Sequence, residues 1–452
     1  MLDPRSPMAR LRHVWLRLSS LILRRRHYAY LKVWAGRLVL WGGAVGVGLL
    51  AVGFARLSDH AVHFFRDGAK AWWWLPLVVT PLAGAGCVWI TRRWFAGAEG
   101  SGIPQTIAEM SRPESPGWRP LLSLRIVVGK VLVGAAAVGS GFSLGREGPT
   151  VQVGASLMNA LHRWLPGGLH IPRTHMLVAG GAAGIAAAFN TPLAGIAFAI
   201  EELTRSVEAR MSGLIITAIV LAGIVSQTLL GKASYFGQIA IAGSDRDMAL
   251  AVAVTALVCG VAGGLFSRML IIASTSWRGS LADLRRRRPV LFAALCGLLV
   301  ATLGVVSGGL SFGSGYTETR HLLEGTAQLD WHYAPLRFIA TLIAYLSGLP
   351  GGIFAPSLAI GAGIGHDLAP LLGQQAHPGM LLVLCMAGFL AAVTQAPITA
   401  FIIVMEMVDG YSVIIGLMAV SLLSAGVSRL FSPPLYHTAA RHLLSVGIAR
   451  RT

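Results

Sequence analysis

Residues Gly145-Arg146-Glu147-Gly148-Pro149-Thr150-Val151-Gln152-Val153-Gly154-Ala155 set a guanidinium and a carboxylate between glycines within an otherwise apolar stretch. In a bilayer such charges are costly unless paired or functional. Backbone interrupted by glycine and proline is tolerated there only where it is buried in protein or lines a polar cavity. The pattern recurs: Pro356-Ser357-Leu358-Ala359-Ile360-Gly361-Ala362 repeats Pro149 to Ala155 at an offset of 207 residues and also follows a glycine-containing break. A second pair agrees at an offset of 205, where Ala187-Ala188-Phe189-Asn190-Thr191-Pro192 resembles Ala392-Val393-Thr394-Gln395-Ala396-Pro397. Nine residues after each proline stands a glutamate, Glu201 and Glu406. Two matches at nearly one offset imply duplication, with halves at roughly 33–235 and 245–436. Interrupted apolar segments at corresponding positions of two halves point to a transporter with its substrate site at the repeat interface. The residues alone do not say whether the halves are inverted.

The rest of the chain agrees with lipid as the solvent. It is 54% hydrophobic and 12% charged, with a mean hydropathy of +0.66, outside the range of a water-soluble domain. Apolar stretches recur from about Val33 to Phe431 without a long hydrophilic block. The expectation is an all-α polytopic membrane protein with one transmembrane domain, 33–452, behind a basic segment, 1–32. Leu38 to Ala55, Ala249 to Phe266 and Val290 to Val306 approach the ~20 apolar residues of a spanning helix. Between Gly97 and Leu203, and between Thr341 and Val408, the runs are chopped into half-helices.

The net charge of +18 resides in arginines that flank apolar runs, which argues against a nucleic-acid partner. Arg10, Arg12, Arg17 and Arg24 to Arg26 lead the chain, and Arg285 to Arg288 separate two apolar segments. The positive-inside bias places both clusters, and so the N-terminus, in the cytoplasm. The lead lacks a small-residue cleavage site and reads as basic and amphipathic rather than as a signal peptide. Trp72, Trp73 and Trp74 before Pro76 fit a membrane-interface belt, with core packing as the competing reading. Cys87, Cys259, Cys296 and Cys385 each sit alone in apolar runs, and His60 and His63 read as solvated. No metal or cofactor is expected.

Three breaks carry the chemistry: Gly100-Ser101-Gly102-Ile103-Pro104, Gly145 to Pro149, and Gly351-Gly352-Ile353-Phe354-Ala355-Pro356. Each ends in proline and leads into an apolar helix. Proline suits a first helical turn, glycine admits close approach of a ligand, and the free N–H groups carry partial positive charge. Three such ends form a cradle for an anion. None has the Gly-Lys-Ser/Thr ending of a nucleotide-binding loop. Lys130, alone in an apolar run, either supplies buried positive potential or snorkels. Glu201 and Glu202 close an apolar run that begins near Met176, and on a helix adjacent side chains point about 100° apart, so the two need not share a role. An intramembrane hydrolase would need Ser101 or Ser156 beside a histidine, and His162 lies about 120° round a helix from Ser156. That enzyme reading is set aside.

Taken together and in this order, with Asn190-Thr191-Pro192-Leu193 before Glu201-Glu202 and with Tyr436 near the C-terminus, these motifs resemble the CLC family of chloride channels and chloride/proton antiporters. The resemblance spans roughly Gly100 to Tyr436. It implies a fold of two inverted-repeat halves of short, tilted and broken helices, a homodimer with one anion path per subunit, and a multi-pass location in a lipid bilayer; the short arginine-rich chain fits a bacterial inner membrane. It also implies that Ser101, Tyr436 and the backbone N–H groups of Ile353 and Phe354 hold chloride, supported by Gly100, Gly102, Lys130 and Arg146. Neutral donors give moderate, reversible affinity. By the same resemblance Glu147 is the external gate and proton acceptor, and Glu202 the internal proton acceptor, which favours antiport. Serine at 101 and proline at 149 fit the chloride pattern. The alternatives are an uncoupled channel and, further off, a fluoride exporter. Gln105 departs from the family's usual glutamate, leaving the anion-facing residues intact. An end at Thr452 leaves no room for the nucleotide-sensing domains of many eukaryotic relatives, so nucleotide regulation is not expected.

Overall fold

A computed structural model describes residues 7–111, 120–166, 171–205, 213–231, 235–236, 245–326, 329–372 and 378–449, with side chains omitted at 7–30, 245–247 and 447–449. The expected N-terminal arginine cluster and most of the connection between the halves therefore lie outside the described side chains. Among the described residues there are eighteen α-helices and no strands. The first half holds α1 (Pro7–Ala71), α2 (Leu75–Trp94), α3 (Ile103–Met110), α4 (Leu124–Gly139), α5 (Glu147–Leu161), α6 (Arg173–Phe189), α7 (Pro192–Phe198) and α8 (Gly213–Leu230). The second holds α9 (Asp245–Thr275), α10 (Ser280–Arg287), α11 (Pro289–Val306), α12 (Tyr316–Leu323), α13 (Tyr333–Leu346), α14 (Phe354–Leu372), α15 (Pro378–Thr394), α16 (Pro397–Val408), α17 (Ile414–Arg429) and α18 (Leu435–Ala449). Six described helical segments are long and apolar enough to cross a membrane. Others, such as α3 and α7, have 8 and 7 residues and end part-way, as the chopped runs predict.

The duplication is visible in backbone geometry. α6 ends at Asn190 in the left-handed conformation (φ 62°), and α15 ends at Gln395 in the same conformation (φ 59°). α5 packs on α6 as α14 packs on α15; α8 lies against α1 and α6 as α17 lies against α9 and α15. Where the halves meet, α7 and α16 exchange caps. Glu201, just past α7, accepts from the N–H groups of Ile398 (3.1 Å) and Thr399 (2.7 Å) at the start of α16. Glu406, near the end of α16, accepts from Leu193 (3.2 Å) and Ala194 (2.9 Å) at the start of α7. Each carboxylate thus meets the positive end of the other half's helix. The end of each helix touching the start of the other makes them antiparallel, which is the arrangement of inverted halves.

The centre is built from α6 and α15, whose residues Met176–Phe189 and Met380–Thr394 are buried throughout. Small residues let the backbones close up: a Cβ at Gly154 would stand 2.1 Å from the Gly180 carbonyl oxygen, the close packing by which helices associate in lipid. Large apolar side chains such as Leu38, Leu132, Leu299 and Ile415 are exposed on the periphery. Trp72, Trp73 and Trp74 are exposed as well, between α1 and α2, so they do not pack in the core.

Candidate functional site

The three breaks converge, and they do so by hydrogen bonds between the halves. The Gly100 N–H donates to Leu349 O and the Gly351 N–H to Gly100 O, both at 3.1 Å. Gly145 and Gly352 exchange bonds of 2.8 and 2.6 Å. These contacts bring the starts of α3, α5 and α14 to one place. Glycine is required at the junction. A Cβ on Gly148 would lie 2.5 Å from Ser101 Oγ, and one on Gly352 would lie 3.0 Å from the Gly148 nitrogen. Gly102, at φ 96°, takes a conformation that other residues seldom adopt.

Around the junction stand buried polar atoms that make no hydrogen bond of ordinary length to the protein: Ser101 Oγ, Tyr436 Oη, Glu147 Oε2 and Glu202 Oε1. Unsatisfied groups of this kind are rare and call for a ligand, a proton or water. The Tyr436 hydroxyl is turned toward Ser101 and lies within electrostatic reach of both Glu147 and Glu202. Its ring stacks on Phe354, with centroids 6.1 Å apart and planes 9° apart. Phe354 in turn contacts Phe189 and Phe198. Ile353 and Phe354 are buried at the start of α14, where the first four N–H groups of the helix have no intrahelical partner.

Glu147 is 1% exposed. Its carboxylate faces its own N–H and that of Ala355, so it sits at the start of α14 as an anion would. Arg146, its sequence neighbour, does not pair with it as a local Arg-Glu bridge would. The guanidinium donates instead to Asp59 Oδ1 (2.5 Å) and Ala55 O (3.0 Å) on α1. A cavity of about 170 Å³, lined by Asp59, His63, Arg66, Arg146 and Tyr316 among others, opens on this side.

Lys130 is fully buried, which rules out snorkelling. Its Nζ donates to Gly100 O (2.6 Å), Ala98 O (2.8 Å) and more distantly Glu99 O (3.4 Å), so it both brings positive charge and holds the segment before Ser101. Gln105 helps: its Nε2 donates to Glu99 O at 2.6 Å. That bond needs a donor, which a carboxylate would lack. A second cavity, of about 630 Å³, is lined by Glu99, Ser347 and Gly348 together with Arg92, Arg285 and Arg286.

Glu202 is 2% exposed in a π-helical turn, Ala199–Thr204, a distortion frequent at functional sites. Glu201 is committed to α16, also accepting the Thr399 hydroxyl at 2.9 Å. The paired carboxylates thus divide into a structural and an unpartnered one. The serine-hydrolase reading finds no support: His162 Nε2 meets Ile171 O at 3.1 Å, with Ser156 Oγ buried and unpartnered.

Three groups escaped the sequence reading. Asp59 gave no signal beyond being an acid near an apolar run. Arg337, fully buried in α13, did: an arginine in an apolar helix is as telling as Lys130. It donates to the carbonyls of Leu310, Phe312 and Gly313 and lies 3.6 Å from Glu318, which also pairs with Arg66 at 2.6 Å. His437, beside Tyr436, is the third.

Comparison with known proteins agrees with this geometry. Residues 83–429 match the sequence profile described as "Voltage gated chloride channel". The chain is 29% identical over 421 residues to the H(+)/Cl(-) exchange transporter ClcA of Vibrio campbellii, covering 88% of each. It is 28% identical over 415 residues to the ClcA of Salmonella paratyphi A, covering 88% of this chain and 83% of that one. Among solved structures, a slow cyanobacterial Cl-/H+ antiporter superposes with a TM-score of 0.79 at 24% identity, covering 91% of this chain and 98% of the other. A CLC-type fluoride/proton antiporter does so with a TM-score of 0.74 at 22% identity, covering 90% and 98%. With the profile matched across most of its length and the fold reproduced over nine tenths of it, the chain is a multi-pass membrane protein of the voltage gated chloride channel, or CLC, family.

Proposed function

We propose that the protein exchanges chloride for protons across its membrane. The observation that carries the reading is the seat of Glu147: its carboxylate lies at the start of α14, facing the Ala355 N–H, while the Ser101 and Tyr436 hydroxyls wait unpartnered nearby. Chloride held by those hydroxyls and by the N–H groups of Ile353 and Phe354 competes with the Glu147 carboxylate for positive dipoles. Protonation removes the charge of Glu147 and lets chloride take its place, so one side chain couples the two ions. Glu202, buried within electrostatic reach of Tyr436, receives protons from the other side. Lys130 and Gln105 keep the Ser101 segment in place, and Arg146 keeps the start of α5 against α1. The names of the curated relatives support exchange over passive conduction.

The active unit is a homodimer in a lipid bilayer, each subunit with its own path. The apolar side chains exposed on α8 and α17, Ile216, Ile224, Ile415 and Leu422 among them, suit helix packing against a second copy or lipid. The arginine-rich face lies in the cytoplasm with the N-terminus, and the membrane is a bacterial inner membrane.

Purified protein in liposomes, given a chloride gradient and no proton gradient, tests the reading by simultaneous recording of both ions. Uphill proton movement driven by chloride is expected. Chloride flux alone makes the protein an uncoupled channel, and transport of fluoride in preference to chloride makes it a fluoride exporter.

A further inference from the structure

Glu202 must trade protons with water, yet its side chain is 2% exposed. Glu201 is not available to help, since its two oxygens are engaged by the start of α16. Beside Glu202 stands His437, the residue after Tyr436 on α18. Its Nε2 is 2.8 Å from the Glu202 carbonyl oxygen and 3.6 Å from Oε1, the carboxylate oxygen that has no other partner. A carbonyl oxygen only accepts, so the neutral ring carries its hydrogen on Nε2, aimed at Glu202, and Nδ1 is the basic nitrogen. The His437 side chain is 18% exposed, so it reaches water where Glu202 does not.

We propose that His437 is the proton-transfer residue joining Glu202 to the aqueous phase on the arginine-rich face, an inference that rests on the antiport reading above. Water on that face delivers a proton to Nδ1, giving the imidazolium. The Nε2–H bond breaks as an O–H bond forms on Glu202 Oε1, leaving a neutral ring with its proton on Nδ1. Uptake of a proton at Nε2 gives the imidazolium again, and loss of the Nδ1 proton to water restores the start. The sequence moves one proton and no electrons, and runs backward for release. The charged groups acting on the ring are Arg205 beyond the π turn and Arg441 one turn along α18; Arg205 also acts on the Glu202 carboxylate. Repulsion from both guanidiniums favours passing on an extra ring proton over holding it.

The test is His437→Gln, whose amide N–H replaces the Nε2 donor to the Glu202 carbonyl but relays no proton. In liposomes, chloride-driven proton movement should slow by about 100-fold, the low end of the effect of a lost acid-base group. Imidazole added to both compartments should restore part of the rate, and the rate should rise less steeply with proton concentration than in the unmodified protein. His437→Ser, which keeps neither function, should be rescued by imidazole to a similar degree and serves if the glutamine variant does not fold. Exchange at the original rate in either variant overturns the proposal, and so does a slowed variant that imidazole leaves unchanged, since lost packing or a lost hydrogen bond would not respond to a diffusing base. If the unmodified protein moves no protons, the antiport reading fails and takes this one with it. If it does and the variants match it, only the role of His437 fails.

Discussion

Replacing Gly148 by alanine presses directly on the proposed anion site. The new Cβ would lie 2.5 Å from Ser101 Oγ, 3.2 Å from Ser101 O and 3.4 Å from Gly352 Cα, where ordinary contact begins at 3.4 Å. The backbone is hemmed in on the other side, so relief comes from the hydroxyl, which must retreat about 0.9 Å to reach that ordinary separation. A displacement of that size breaks a hydrogen bond to a bound anion. Such bonds to charged groups contribute about 1.5–3 kcal/mol, which at about 1.4 kcal/mol per decade is a roughly 10- to 100-fold weakening of chloride binding. Overpacking adds about 1–3 kcal/mol of general destabilisation. The two effects are separated by Gly86→Ala as a control, because nothing lies within 4 Å of a Cβ there. Isothermal titration of chloride into purified protein reads the affinity. Thermal melts with and without chloride read the linked stabilisation, which should shrink in the alanine variant. Chloride affinity within about threefold of the original in Gly148→Ala would refute the placement of the anion against Ser101 Oγ.

Glu147→Gln should pass chloride without moving protons, and Glu202→Gln should lose proton movement with the anion path intact; dual-ion flux in liposomes checks both, and full coupling in either variant removes that residue from the mechanism. Ser101→Pro removes a donor from the site and should shift preference from chloride toward nitrate, read as a ratio of fluxes; an unchanged ratio excludes Ser101 from selectivity. Glu406→Gln should lower stability by about 1 kcal/mol, the typical magnitude of a lost helix cap, and Glu201→Gln by a similar amount because the two caps are reciprocal. Chemical denaturation in detergent measures this, and a neutral effect in both would show that the exchanged caps contribute nothing to holding the halves together.

Most of the architecture was legible because duplication leaves a record that lipid makes readable. The Gly-Pro breaks could not survive facing hydrocarbon, so their recurrence at nearly one offset marked both the repeat and the candidate site. Inversion was hidden, because identical motifs are compatible with parallel or antiparallel halves. The information lay in which carboxylate meets which helix start, as with Glu201 on Thr399 and Glu406 on Ala194. The division of labour between Glu201 and Glu202 was half visible: helical geometry said they diverge, but only the packing says which is occupied. Lys130 could be singled out, yet its choice between snorkelling and burial depended on the Ala98–Gly100 carbonyls turning inward. Asp59 was unreadable because its meaning comes from Arg146, 87 residues away.

The backbone bonds that tie Gly100 to the Leu349–Gly351 segment and Gly145 to Gly352 also fix when the molecule can exist. A ribosome delivers the first half, with Glu147 and the uncapped start of α5, to the membrane some two hundred residues before the segment that receives them has been made. During that interval the fragment carries a carboxylate and bare amides without the second-half segment that meets them, a burden lipid does not relieve. Contacts so far apart in the chain also close slowly. The partially made protein is therefore the vulnerable species, open to mispairing and to quality-control proteases until the second half docks.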